Sequence, residues 1–146
     1  MSPRIALLEK WVTARKRSRD AAAGLLGAVE VELGRARQEA GDRQLRLDAL
    51  LRGAESELAV ARSAAALLRF ADERAHAARD LDLARSAVRK VEADHEAKRK
   101  IVEERARAVK TAERALERAK EEHRERLDKA EQELSDAHGG RRSASW

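Results

Sequence analysis

The side chains best equipped for chemistry in this chain are four histidines, His76, His95, His123 and His138, and 27 acidic residues. Zinc chemistry needs several imidazoles, thiolates or carboxylates converging on one point. On a helix, that convergence starts from ligands three or four residues apart. No two of these histidines have that spacing, and the chain contains no cysteine. Neither a disulfide nor thiolate chemistry is therefore available. General acid–base catalysis needs carboxylates held apart from bulk water in a cleft. The acids between Val102 and Leu134 instead alternate with Lys and Arg at helical spacing, the pattern of a solvated helix face laced with i,i+4 pairs. Neither a phosphate-binding GxxxxGK[ST] or GxGxxG nor an HExxH or GxSxG pattern occurs, so the motif-borne nucleotide, zinc and acyl-transfer chemistries find no foothold. The reading is a non-enzyme with no catalytic residues, no metal and no cofactor. His95 and His123 are read as structural.

A second kind of chemistry is charge recognition. The net charge is +5, and it is concentrated. Residues 1–19 hold Arg4, Lys10, Arg15, Lys16, Arg17 and Arg19 against the single acid Glu9, while the rest of the chain is balanced. A basic cluster of this kind points to an acidic partner, whether protein, lipid or nucleic acid. Trp11 is the only aromatic near it, too few for stacking on single strands. An amphipathic basic segment could also lie on an anionic membrane, but Ile5, Leu8 and Val12 are already committed to the seam described next. No stretch of 18 apolar residues occurs, so no bilayer-spanning helix is expected. The opening RIALLEKWV is interrupted by Glu9 and Lys10, unlike the apolar core of a secretory signal.

The elements that must present these residues are helices. Alternating steps of four and three from Phe70 visit Phe70, Arg74, Ala77, Leu81, Ala84, Val88, Val91, His95, Lys98, Val102, Arg105, Val109, Ala112, Leu116 and Ala119. Eleven of these fifteen are apolar, against about six expected from the 42% hydrophobic composition. An earlier seam runs Ile5, Leu8, Val12, Arg15, Arg19, Ala22, Leu26, Val29, Leu33, Ala36, Ala40, Arg43, Leu47 and Leu50, and its three exceptions are all Arg. A 3.5-residue repeat is the mark of helices packed along their length in a coiled coil. Stutters interrupt it near Ala54–Leu58 and between His123 and Leu127, with the seams resuming through Ala61, Ala65 and Leu68, and through Ala130 and Leu134. The only proline is Pro3.

The fold expected is all-α: a long two-helix antiparallel coiled-coil hairpin spanning 3–138. Helix 1 covers about 3–66 and helix 2 about 70–138, with the bend near residues 63–73. Ser63 and Asp72 are the candidate helix caps there. Each helix would be roughly 100 Å long at 1.5 Å per residue. A bend near 70 sets opposing residue numbers to add to about 140, pairing Arg15 with Glu125, Arg19 with Glu121, Arg43 with Glu96 and Lys98 with Asp42. A parallel dimer would instead stack Arg15 on its twin, so the charges favour a monomeric hairpin. Gly24, Gly27, Gly34, Gly41 and Gly53 all fall in the first helix. They either soften it, since each costs about 1 kcal/mol relative to Ala, or allow close packing. Gly139 is expected to end the second helix, leaving 139–146 as a disordered tail.

The segment from Leu7 to Glu39, LLEKWVTARKRSRDAAAGLLGAVEVELGRARQE, and the stretch from Leu67 to Ala84, LLRFADERAHAARDLDLA, resemble the FliJ/YscO-like central stalk proteins of flagellar and type III secretion export machines. That resemblance implies a cytoplasmic stalk or adaptor, peripheral to an inner-membrane export complex, linking a hexameric export ATPase to the cytoplasmic ring of the export gate, with secretion chaperones as further partners and no nucleic acid. It places Arg4, Lys10, Arg15, Lys16, Arg17 and Arg19 inside the ATPase ring and Phe70, Arg74, Ala77 and Leu81 against the gate. Arg74 departs from the apolar gate-facing surface of that family. The competing readings are a generic scaffold forming a homodimeric rod, and a basic helix associated with membrane or nucleic acid.

Overall fold

The computed structural model describes residues 2–58, 60 and 63–144, and the side chains among them up to 140, Leu58 excepted. The fold is all-α, and the described residues form two helices, α1 (Pro3–Leu58) and α2 (Ala64–Ala144). Pro3 opens α1, where its fixed φ suits the first helical position and its missing N–H costs nothing. The Ser2 carbonyl accepts from the Ala6 amide at 3.2 Å to close the first turn. At the start of α2 the Ser63 hydroxyl oxygen accepts from the Ala66 amide at 3.2 Å, the N-cap arrangement that satisfies an otherwise orphaned donor.

The connection is residues 59–63, at the leading edge of the expected 63–73 window. Ser63 is the cap; Asp72 lies inside α2. The first helix is therefore shorter than 3–66, and the second starts earlier than 70. Ala61 lies outside the described residues, whereas Ala65 and Leu68 are exposed at the head of α2 rather than continuing the first seam.

The described residues form two units: residues 1–22 with 102–146, and residues 23–101. In the first, the beginning of α1 packs antiparallel on the later part of α2 through Ile5, Val12, Ala22, Val109, Ala112 and Ala119, none more than 7% exposed. In the second, α1 and α2 pack on either side of the connection through Val29, Leu33, Ala54, Ala77 and Leu81. Among the described residues no polar or charged side chain is fully buried.

Of the 14 positions in the first seam, Arg15 alone is exposed; of the 15 in the second, Arg74 alone. The periodicity thus locates the core, but the register differs from the expected one. Lys16 pairs with Glu113 at 3.6 Å, Glu9 with Lys120 at 3.9 Å, and Arg37 with Glu92 at 3.9 Å; Arg85 donates to Gln44 at 2.6 Å. The numbers in each of these pairs add to 129, not 140, so the pairing is centred between five and six residues earlier than a bend at 70 would set it. The four pairings expected of the seam charges are accordingly replaced. Arg15 lies over the Trp11 ring at 5.8 Å, Arg19 bonds Asp20 at 3.1 Å, Arg43 bonds Glu39 at 3.4 Å, and Lys98 reaches Asp94 at 3.8 Å. Each of these four seam cations turns to a carboxylate or ring on its own helix, within reach without crossing the apolar seam.

The early connection also leaves α2 longer than its partner. Arg4, one residue into α1, already pairs with Glu122. Among the described side chains of α2 His123 is the last that is half-buried, and residues 124–140 are all exposed. Leu127 (53% exposed) and Leu134 (63%) continue the seam with nothing from α1 across from them. The helix does not stop at Gly139. It continues through Gly139 and Gly140 to Ala144 with no glycine at positive φ. Glycine permits a left-handed cap but does not impose one, and a helix can run through it at about 1 kcal/mol per residue relative to alanine. Residues 145–146 of the expected tail lie outside the described residues. The glycines of α1 do not serve close packing either: a Cβ added at any of the five meets nothing within 4 Å.

Candidate functional site

The six basic residues of the amino-terminal segment lie within the first unit, on α1 where it packs against α2. Arg4 and Lys16 are engaged by Glu122 and Glu113 across the pair. Arg15 is stacked on Trp11 and Arg19 bonded to Asp20. Among the described residues Lys10 and Arg17 have no carboxylate partner, and both line a surface depression of ≈430 Å³ with Ala6, Glu9, Thr13 and Ala14. These two cations, seven residues and two helical turns apart, are the part of the cluster left unneutralised for an external anion or acidic helix.

The four residues expected at the gate divide differently. Ala77 and Leu81 are 6% and 4% exposed, buried between the helices. Phe70 is half-buried and Arg74 exposed. Phe70 and Arg74 share a depression of ≈450 Å³ with Leu67, Ala71, Ala75 and Ala78. Leu67 is 47% exposed and Leu68 68%. The surface at the head of α2 is therefore apolar, but it is carried by Leu67, Ala71 and Ala75 rather than by Ala77 and Leu81. Counting from Leu67 in steps of four would have found that stripe in the sequence.

The two flanks of the seam differ in kind. Taking Ile5 as position a of a heptad, the e flank of α1 carries the cross-helix pairs Glu9–Lys120, Lys16–Glu113, Glu30–His95 and Arg37–Glu92. The opposite flank in the first unit carries Arg4, Trp11 and Ser18 on α1 and Ala108, Ala115 and Glu122 on α2, with the Arg4–Glu122 pair at its end. Behind it stand Leu7, 70% exposed, with Ala14 and Ala21. Leu7, Trp11, Ala14, Ser18 and Ala21 repeat with the same four-three spacing as the buried seam, a second stripe that reading only the stronger one passes over. Arg105, a seam position, resolves its charge toward this flank by donating to the Ser18 carbonyl at 3.0 Å.

Among the described residues no group of three His, Asp or Glu could hold a metal ion, and no helix is long and apolar enough to cross a membrane. His95 sits half-buried with its Nε2 3.5 Å from Glu30, a structural contact. One carboxyl has a perturbed acidity. Arg99 donates to both oxygens of Glu96 at 2.8 and 3.0 Å, and this holds the Glu96 carboxyl below the usual range. Both groups lie on the outer face of α2 and serve the helix itself. No family model, curated protein or solved structure matches the chain.

Proposed function

We propose that this chain is the stalk or adaptor of a bacterial type III or flagellar protein export machine, linking a hexameric export ATPase to the export gate from a cytoplasmic position beside the inner membrane. The observation that carries the proposal is that the amino-terminal segment and the later part of α2 form one unit bearing the basic cluster, whereas the connection and its apolar surroundings belong to the other. A stalk needs such a division: one surface to engage the ATPase ring through charge, another to engage the gate through apolar contact. Lys10 and Arg17 are the residues free to meet acidic groups lining a ring, with Arg4, Arg15, Lys16 and Arg19 supporting them. Phe70 and Arg74, joined by Leu67, Ala71 and Ala75, form the gate-facing surface in place of Ala77 and Leu81.

A membrane-surface helix is a weaker reading, because Ile5 and Val12 are 5% and 7% exposed and already covered by α2. A bilayer would have to strip that packing, which is worth roughly 1.5–3 kcal/mol per large side chain. A dimeric rod of unbroken helices would leave the connection after Leu58 without purpose.

The test is to mix the full chain with a hexameric export ATPase and follow hydrolysis and ring assembly. Stimulation that is lost in Lys10→Glu/Arg17→Glu, with helicity unchanged, supports the reading. No stimulation and no change in assembly by the unaltered chain refutes it.

A further inference from the structure

On the e flank, charge and register are tied together. In the first unit Glu9 meets Lys120 and Lys16 meets Glu113. In the second, Arg37 meets Glu92, Gln44 accepts from Arg85, and Glu30 receives His95. Acid and base change places from one heptad to the next, so the match holds in one alignment alone. With α1 slid one heptad toward the end of α2, paired numbers add to seven more than the observed 129, and Lys16 faces Lys120 while Arg37 faces Arg99. With α1 slid one heptad the other way, Glu9 faces Glu113, Glu30 faces Glu92 and Arg37 faces Arg85. The apolar seam permits all three alignments, because a shift of seven returns each seam position to a seam position. The slide toward the end of α2 has an attraction of its own. It would set Ile5, Leu8 and Val12 opposite Leu134, Ala130 and Leu127, and so cover the exposed stripe of the α2 extension.

We infer that the e flank is a register lock, which holds α1 one heptad short of the position in which its beginning would cover Leu127 and Leu134. Each exposed pair contributes little alone. Together they act as flanking charges do in coiled coils, favouring one alignment and setting like charges against its alternatives. The chain reversal belongs to the same choice. In the slid register it moves by half a heptad, and the Ser63 cap on the Ala66 amide is given up. A slide of seven residues carries α1 roughly 10 Å along α2. Two alignments of one seam thus compete, with the α2 stripe exposed in one and covered in the other, and surface charge decides between them. A ligand that prefers one alignment shifts the balance by its difference in affinity. The inference goes beyond the stalk reading and does not depend on it.

The chain has no cysteine, so introduced pairs report the register directly. Ala22→Cys/Val109→Cys joins two buried seam positions of the observed register, and Ala22→Cys/Leu116→Cys joins the corresponding positions of the slid one. Oxidation of the otherwise unaltered chain should close the first cross-link within one molecule and leave the second open. Lys16→Glu/Arg37→Glu puts carboxylates against Glu113 and Glu92 in the observed register, and against Lys120 and Arg99 in the slid one. In that background the first cross-link should be lost and the second gained. A Leu134→Cys probe, freely alkylated in the otherwise unaltered chain, should there become protected. Lys16→Gln/Arg37→Gln sets no like charges together in either register; it should give both cross-links, and it carries the test if the double reversal does not fold. Lys10→Glu/Arg17→Glu, an equal change of charge off the flank, should keep the first cross-link alone. The first cross-link persisting alone in both the Glu and the Gln variants overturns the inference, because the register then has another keeper. So does a second cross-link in the unaltered chain or in Lys10→Glu/Arg17→Glu. Loss of the first without gain of the second, in a variant that keeps its helicity by circular dichroism, overturns it as well, since no slid register then exists.

Discussion

Replacing Gly24, Gly34 and Gly41 together by alanine should stabilise the protein. Each lies inside α1, exposed, with helical backbone and no positive φ. An added Cβ at each meets nothing within 4 Å, so no contact opposes the change and none is gained. What remains is the intrinsic difference between glycine and alanine in a helix interior, about 1 kcal/mol per position, most of it from the greater freedom of glycine in the unfolded chain. Gly34 and Gly41, the nearest pair, are seven residues apart, roughly 10 Å at 1.5 Å per residue. Sites this far apart with no shared partner add, giving about 2–3 kcal/mol in total. For a chain of this size, that corresponds to a rise in Tm of about 6–12 °C. Urea unfolding followed by circular dichroism is the assay: the midpoint should rise with the slope unchanged, because the surface exposed on unfolding is the same. An unchanged or lowered midpoint would refute the reasoning, since it would mean that α1 needs its glycines for a conformation or contact other than the one described.

Other changes have defined outcomes. Ala112 has no exposed surface, so Ala112→Leu should overpack the α1–α2 seam and lower stability by about 1–3 kcal/mol in the same assay. Ser63→Ala removes the acceptor for the Ala66 amide and should cost about 1 kcal/mol, with Ser63→Asp retaining the cap. Glu96 is depressed by its bonds to Arg99. Its contribution to stability is thus present above the ordinary carboxylate range and is lost as pH falls through the lower folded value. An NMR titration should show the Glu96 midpoint rising when Arg99 is replaced by Gln, since the bonds that lower it are then gone.

The sequence makes the seam readable because its period is a property of single helices: a side chain's place on the helix cylinder follows from its number alone. That is why Ala22, Val29, Val109 and Ala119 are buried where the four-three spacing puts them. Register is not of that kind. Sliding one helix past another by seven residues returns every seam position to a seam position, so Arg43 can face Glu96 or turn to Glu39 with no change in the stripe. The register is set by where the chain reverses, and no glycine or proline marks residues 59–63; only the Ser63 hydroxyl does. The exposed Leu127 and Leu134 could be placed on the seam from sequence, but their lack of a partner follows from the register and was illegible without it. The candidate surfaces were half legible for the same reason. Lys10 and Arg17 stand out as charge, yet only the ion pairs of Arg4 and Lys16 reveal which cations stay free. Ala77 and Leu81 look like Phe70 on the stripe, yet burial takes them out of reach.

A core made of alanine, leucine, valine and one isoleucine, with no buried polar side chain among the described residues to key it, also shapes how such a protein changes over generations. Seven residues gained in one arm and seven in the other would leave every type of neighbour in place, and most substitutions among small apolar residues would pass unpunished. Descendants need inherit only a rhythm, a reversal and a few charges, so ancestry in a lineage of this design fades from the letters long before it fades from the shape.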